Sequence, residues 1–279
     1  MSALDGIDDW EQLWGVPNTA AAVITADGSV ADARGDQDRE FGLASVTKLL
    51  TGYAVLVALE EEAIALSDPV GPPGATVEHL LAHTAGYGFD SGSAAVTRPG
   101  TRRIYSNQGI EVLARHLGET TGIDFGTYLA EAVLTPLGMT ATSLPGSPAA
   151  GGRSTAADLT RFAAELLNPR LIARETLDEA VRVHFGGLSG ILPGLGRFDP
   201  LDWGLTFERN FGRPGHWAGT RIPRAAFGHF GAGGTFLWAD PENGLACVCL
   251  SDREFGDWAK QAWPALTDEV VREHTPSPR

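Results

Sequence analysis

Residues 46–62, VTKLLTGYAVLVALEEE, are apolar nearly all the way round until the run Glu60–Glu62. A segment of that kind has no face to give to water, so it predicts a buried helix around which the rest of the chain must pack. The helix also carries a charge. Lys48 is one of only two lysines in a chain with 19 arginines, and burying an ammonium group costs several kcal/mol unless it is paired or loses its proton. Some feature of the fold must offset that cost.

The flanking patterns suggest what packs around it. Near the start, TAAAVITADGSVADARGD reads as two apolar runs around Asp27-Gly28, a hairpin signal. Near the end, AAFGHFGAGGTFLWADPENGLACVCLSD reads as three strands broken at GAGG and PENG. Two antiparallel systems at opposite ends predict one sheet assembled from both termini, with DWAKQAWPALTDEVVREH as a helix able to cover it. Between them TVEHLLAHTAG, NQGIEVLARHLGETTG and FGTYLAEAVLTPLG read as helices closed by glycine or proline, and STAADLTRFAAELLNP starts with Thr155 and Asp158 in capping-box spacing. Gly- and Pro-rich loops occupy roughly 184–224. The expected class is α/β (α+β): an antiparallel sheet flanked by helices, with an inserted helical region. We expect a single domain over 1–279, its sheet part roughly 15–45 and 200–279 and its helical part roughly 46–199.

A length of 279 residues, 43% hydrophobic and 20% charged, suits a globular protein with a real core. A net charge of -14, without a basic run, argues against nucleic acid as a partner. The acidic start MSALDGIDDWEQLWGVP does not read as a secretory signal, and no stretch reaches the ~18 apolar residues of a membrane span, so a cytoplasmic location is expected. Cys247 and Cys249 sit two apart on one predicted strand, a poor geometry for a mutual disulfide; buried free thiols are expected.

Ser45 and Lys48 lie at i and i+3, on one helix face with Cβ atoms ~5–6 Å apart. A serine hydroxyl is a weak nucleophile until a neighbour takes its proton, and a lysine whose pKa of ~10.4 is lowered by burial can be that neighbour. Tyr105-Ser106-Asn107 follows a Pro-Gly turn and precedes a helix, and His229-Phe230-Gly231 lies on a predicted edge-type strand. Ser-x-x-Lys, then Tyr-x-Asn about 60 residues on, then His-x-Gly near the carboxyl end, resembles the active-site triplet of the serine β-lactamase and penicillin-recognising superfamily. The segments around the three motifs, including TVEHLLAHTAGY and YLAEAVLTPLGM, are similar to its class C-type serine-hydrolase branch over approximately residues 18–255.

The resemblance implies a cofactor-free serine hydrolase of β-lactamase/transpeptidase-like fold, acting on a small ester, amide or β-lactam. It implies Ser45 as acylated nucleophile, Lys48 as proton acceptor, Tyr105 as proton relay, and Asn107 as partner of Lys48 and of substrate. The N–H groups of Ser45 and Ala232 would form the oxyanion hole beside His229, Phe230 and Gly231. Lys48 and Tyr105 both remain open as the base. His229 replaces the lysine usual in β-lactamases, which favours esterase or D-peptidase chemistry over β-lactam hydrolysis, and Phe230 suggests an apolar acyl group. The rival reading is a binding protein that keeps the fold without turnover.

Other features have plainer explanations. His79 and His83 have zinc-gripping spacing but no third ligand, so no metal is expected. Glu165 and Asn168 read as a helix end. Arg209, Arg213, Arg221 and Arg224 read as surface charge, and Trp203 and Trp238 as core or pocket.

Overall fold

The turn at Asp27-Gly28 joins the first two strands of the sheet, with Gly28 at φ +81° and its N–H donating to the Thr25 carbonyl at 2.8 Å. The structure, a computed structural model, describes residues 2–210, 212 and 216–275. In chain order, α1 (Trp10–Trp14) leads into β1 (Thr19–Thr25), β2 (Val30–Arg34), β3 (Phe41–Gly42), α2 (Thr47–Glu60), α3 (Val77–Leu81), β4 (Arg103–Ile104), α4 (Asn107–Thr121) and α5 (Phe125–Leu129). Then follow β5 (Arg153–Ser154), α6 (Ala156–Leu167), α7 (Arg174–Val181), β6 (Gly190–Leu192), β7 (Gly196–Phe198) and β8 (Glu208–Arg209). β9 (Phe227–Gly231), β10 (Thr235–Asp240), β11 (Leu245–Ser251) and α8 (Asp257–His274) complete the chain.

The main sheet runs β2-β1-β11-β10-β9-β8, every pair antiparallel, so strands from both ends of the chain meet at β1 and β11 with Thr19 opposite Ser251. Alternation along the strands divides the core. Ala20, Ala22, Leu237 and Val248 pack with Leu159, Phe162 and Leu166 of α6. Ala21, Val23, Trp238, Cys247 and Cys249 pack with Trp258, Trp263 and Val270 of α8. Both cysteines are free and buried. α2 is buried from Thr47 to Ala58, Lys48 included, with α4, α5 and α7 packed around it.

The predicted start of α6 is present: Thr155 Oγ1 accepts from Asp158 N at 3.1 Å. The Asp158 carboxylate turns away to Ala141 N and Thr142 Oγ1, both at 2.8 Å, so the cap is one-sided. Thr155→Ala is expected to cost about 1 kcal/mol in chemical denaturation, with the slope of the transition unchanged.

Two expectations change in detail. The helix at TVEHLLAHTAG ends at Leu81, and His83 sits at φ +56°, outside the helix. The stretch 184–224 contains β6, β7 and β8, strands of two or three residues and too short to show alternation. Trp203 and Trp238 are fully buried in the second core cluster. Arg209 donates to the Val181 and Arg224 carbonyls, Arg221 and Arg224 are exposed, and Arg213 lies outside the described residues. Among the described residues no helix is long and apolar enough to cross a membrane.

Candidate active site

Ser45 lies in a 3-10 turn, Ala44–Val46, that feeds directly into α2. The turn is forced: Ala44 takes φ +45°, a left-handed conformation that costs a residue with a Cβ about 1–3 kcal/mol. Neighbouring bonds hold it there. Leu43 N donates to the Gly152 carbonyl at 2.9 Å, and the Leu43 carbonyl accepts from Val46 N at 3.2 Å and from Thr235 Oγ1 at 2.8 Å. One turn into the helix, Lys48 Nζ lies 3.1 Å from Ser45 Oγ, 2.6 Å from Asn107 Oδ1 and 2.8 Å from the Ala149 carbonyl oxygen.

Those three distances fix where the protons go. The Lys48 side chain is fully buried, and burial lowers its pKa to about 7, with the Glu111 carboxylate opposing the shift. The neutral amine has two N–H donors and one lone pair. Asn107 Oδ1 and the Ala149 carbonyl can only accept, so they take both donors and leave the lone pair for the Ser45 hydroxyl. The cost of burying Lys48 is met by two oriented acceptors and by a pKa low enough for the proton to leave near neutral pH.

Tyr105 and Asn107 flank a helix cap. Ser106 Oγ accepts from Gly109 N at 3.0 Å and donates to the Gly88 carbonyl at 2.6 Å, which starts α4 at Asn107. His83 braces the same turn, its Nδ1 accepting from Ser106 N at 3.3 Å and its carbonyl from Ile104 N at 2.9 Å. His79 Nδ1 is instead bound to Thr76 Oγ1 at 2.9 Å, and among the described residues no group of three His, Cys, Asp or Glu could hold a metal. Glu165 is buried away from Ser45, accepting from Tyr53 Oη, Arg170 N and Leu171 N, each at 2.7 Å.

The β9 strand brings the third segment in. Among the described residues β8 pairs with β9 at Phe227 and Gly228 alone, so no further strand lies beside His229 to Gly231. His229 Nδ1 lies 2.7 Å from the Phe230 carbonyl oxygen, which only accepts, so the proton sits on Nδ1 and Nε2 accepts from the Tyr105 hydroxyl at 3.2 Å. Burial and the Lys48 charge hold the His229 pKa down at about 3, so the ring is neutral. Burial pushes the Tyr105 phenol well up, a Ser45 hydrogen bond opposing. Gly231 permits close approach: a Cβ there would run into the Leu43 carbonyl oxygen and lie 2.5 Å from Thr235 Oγ1. Among the described residues, neither Ser45 N nor Ala232 N is taken up by a protein acceptor.

Ser45, Tyr105, His229, Phe230 and Ala232 open into a cavity of about 230 Å³ whose remaining walls are Phe89, Leu192, Pro193, Gly194 and Phe255. The β6–β7 hairpin carries Leu192 to Gly194, and Phe89 stacks on Tyr105 with ring centroids 5.8 Å apart. These walls and the Ala149 carbonyl escape sequence reasoning because apolar side chains and backbone oxygens carry no motif.

The β-lactamase family model matches residues 10–272. A crystal structure described as a β-lactamase from Mycobacterium bovis is 47% identical, covers 99% of this chain and 100% of its own, and superposes with a TM-score of 0.94. A mutant of simvastatin synthase from Aspergillus terreus shares the fold at 16% identity, a TM-score of 0.80 and coverage of 95% and 93%. The D-alanyl-D-alanine-carboxypeptidase/endopeptidase AmpH of Escherichia coli K12 is 26% identical over 153 residues, 42% of this chain. That match spans 40% of the relative's own length.

Proposed function

The chain belongs to the β-lactamase family, and from the site it carries we propose that it hydrolyses small neutral esters through a covalent acyl-enzyme on Ser45. The observation that carries this reading is the character of the cavity. Its walls are Phe89, Leu192, Pro193, Phe230 and Phe255, and its lining among the described residues contains no lysine or arginine. The position where β-lactamases usually carry a lysine holds a neutral His229. A substrate carboxylate entering here sheds its hydration with no lysine or arginine on the lining to receive it, whereas a neutral acyl group carries no such cost.

In this reading Ser45 Oγ attacks the ester carbonyl as its proton passes to the Lys48 lone pair. The resulting oxyanion is met by the N–H groups of Ser45 and Ala232. Collapse of the tetrahedral intermediate breaks the bond to the alkoxide, which takes the proton from Lys48 with the Tyr105 hydroxyl as relay. Water then repeats the sequence: Lys48 accepts its proton, the hydroxide attacks the acyl carbonyl, and the acid leaves as Ser45 regains its hydrogen. Asn107 holds Lys48 throughout. The raised pKa of Tyr105, bound to an accepting His229, favours Lys48 over Tyr105 as the base.

The Mycobacterium bovis relative supports β-lactam opening as a second reading, since the same acylation would expel a ring nitrogen. Matched substrates separate the two. An activated butyrate ester is expected to exceed the corresponding hemisuccinate, whose acyl chain ends in a carboxylate, by about 10–100-fold in kcat/KM, equivalent to one missing charge-assisted hydrogen bond of ~1.5–3 kcal/mol. A chromogenic cephalosporin, also a carboxylate, should trail the neutral ester likewise. Equal or faster turnover of either carboxylate overturns the neutral-ester reading, and no turnover of any substrate favours a binding protein.

A further inference from the structure

One carboxylate beside the site has no part in the chemistry above. Glu111 lies on α4 at i+4 from Asn107, on the same helix face. A single oxygen, Oε1, accepts from Ser91 Oγ and Ser147 Oγ, each at 2.6 Å. The two serines belong to different loops, and each loop ends at the site.

On one side, Ser147 Oγ also accepts from Ala149 N at 3.1 Å, and the Ala149 carbonyl accepts from Lys48 Nζ at 2.8 Å. Fixing Ser147 therefore fixes one of the two acceptors that orient the amine. On the other side, Ser91 follows Phe89, which stacks on Tyr105 and walls the cavity. The same loop is tied to the start of α4 by Asn107 N to the Phe89 carbonyl at 2.8 Å and by Gly92 N to Gln108 Oε1 at 2.5 Å. We propose that Glu111 is a positioning residue of this site, clamping the loop that presents the Ala149 carbonyl to Lys48 and the loop that presents Phe89 to the substrate. This rests on the hydrolase reading above for its meaning in turnover.

A second consequence concerns charge. Among the described residues the titratable groups that act on or touch Lys48 are Tyr105 before α4, His83 after α3, His229 on β9 and Glu111 on α4. The two imidazoles have depressed pKa values and the phenol a raised one, so all three are neutral near pH 7. Glu111 is the carboxylate that favours the Lys48 ammonium against its burial. Removing that charge releases the proton at lower pH.

The two-lysine composition makes this directly readable. Labelling with lysine carrying ¹³C at Cε gives signals from Lys48 and Lys260 alone, and Lys260→Arg assigns them. Glu111→Gln and Glu111→Ala are each expected to lower the Lys48 titration midpoint by roughly half a unit or more. Glu111→Ala, which also removes both hydrogen bonds, is expected to raise KM for the neutral ester about tenfold, and Glu111→Gln, whose amide oxygen can still accept from both serines, to restore it toward the native value. An unchanged Lys48 midpoint in both variants, or a native KM in Glu111→Ala, overturns the proposal. The titration needs no turnover, so an inactive chain would defeat the hydrolase reading while still testing the link from Glu111 to Lys48.

Discussion

Mixed with an activated neutral ester, the native chain is expected to gain the mass of one acyl group, Ser45→Ala to gain none, and Lys48→Met to gain it about 10²–10⁴-fold more slowly, the range of general-base catalysis. Methionine fills the fully buried volume of the lysine stem without its amine, so the loss reports the proton acceptor more than packing. The pH profile carries the sign. Lys48 accepts a proton only when it holds none, and its pKa is near 7, so the native acylation rate should climb tenfold per pH unit below that value and level off above it. In Lys48→Met that limb should vanish. If Tyr105 were the base, the limb would lie far to the alkaline side, because burial raises its phenol. Acylation of Ser45→Ala, or a native rate in Lys48→Met, would remove the mechanism; circular dichroism of both variants checks that the fold survives.

Much of this arrangement is legible in the sequence, and the boundary of what is legible has a physical basis. Ser45, Lys48, Tyr105, Asn107 and His229 stand out because polar side chains in apolar surroundings need partners, and the structure brings all five together with Gly231 and Ala232 alongside. The sheet drawn from both termini follows from turn chemistry at Asp27-Gly28 and from the PENG turn, where Asp240 Oδ1 accepts from Glu242 N at 3.1 Å and Gly244 takes φ +64°. What escapes is whatever has no local pattern. The β6–β7 hairpin is defined by its pairing with β4, a contact across some 90 residues of chain, and its Gly-rich strands look like loop. Ala149 contributes a carbonyl, which any residue possesses. Glu111 reads as an ordinary surface position on an amphipathic helix until the loops bearing Ser91 and Ser147 fold over it.

Gly231→Ala is expected to lower kcat for the neutral ester by about 10²–10³-fold, the cost of losing one oxyanion donor. β9 approaches the Ala44–Val46 turn so closely that a methyl group on residue 231 would collide with the Leu43 carbonyl oxygen and the Thr235 hydroxyl, the two atoms whose own hydrogen bond latches β10 to that turn. Ala44 Cβ would lie at 3.1 Å on a third side. The backbone is the harder part to move at Leu43, because its N–H and carbonyl are both bonded and Ala44 is already held at positive φ. Strain is therefore relieved by the end of β9, which carries Ala232 N away from Ser45 N. The cavity walls at Phe89, Leu192 and Phe255 stand on other segments, so KM should change far less than kcat. The rest of β9 keeps its pairing with β10 from Phe227 to Phe230, so the variant should still unfold cooperatively, at a lower temperature. A Gly231→Ala protein that folds and turns over at the native rate would show that Ala232 N is not an oxyanion donor; a fall in kcat with KM preserved would show that its placement against Ser45 depends on the absence of one methyl group.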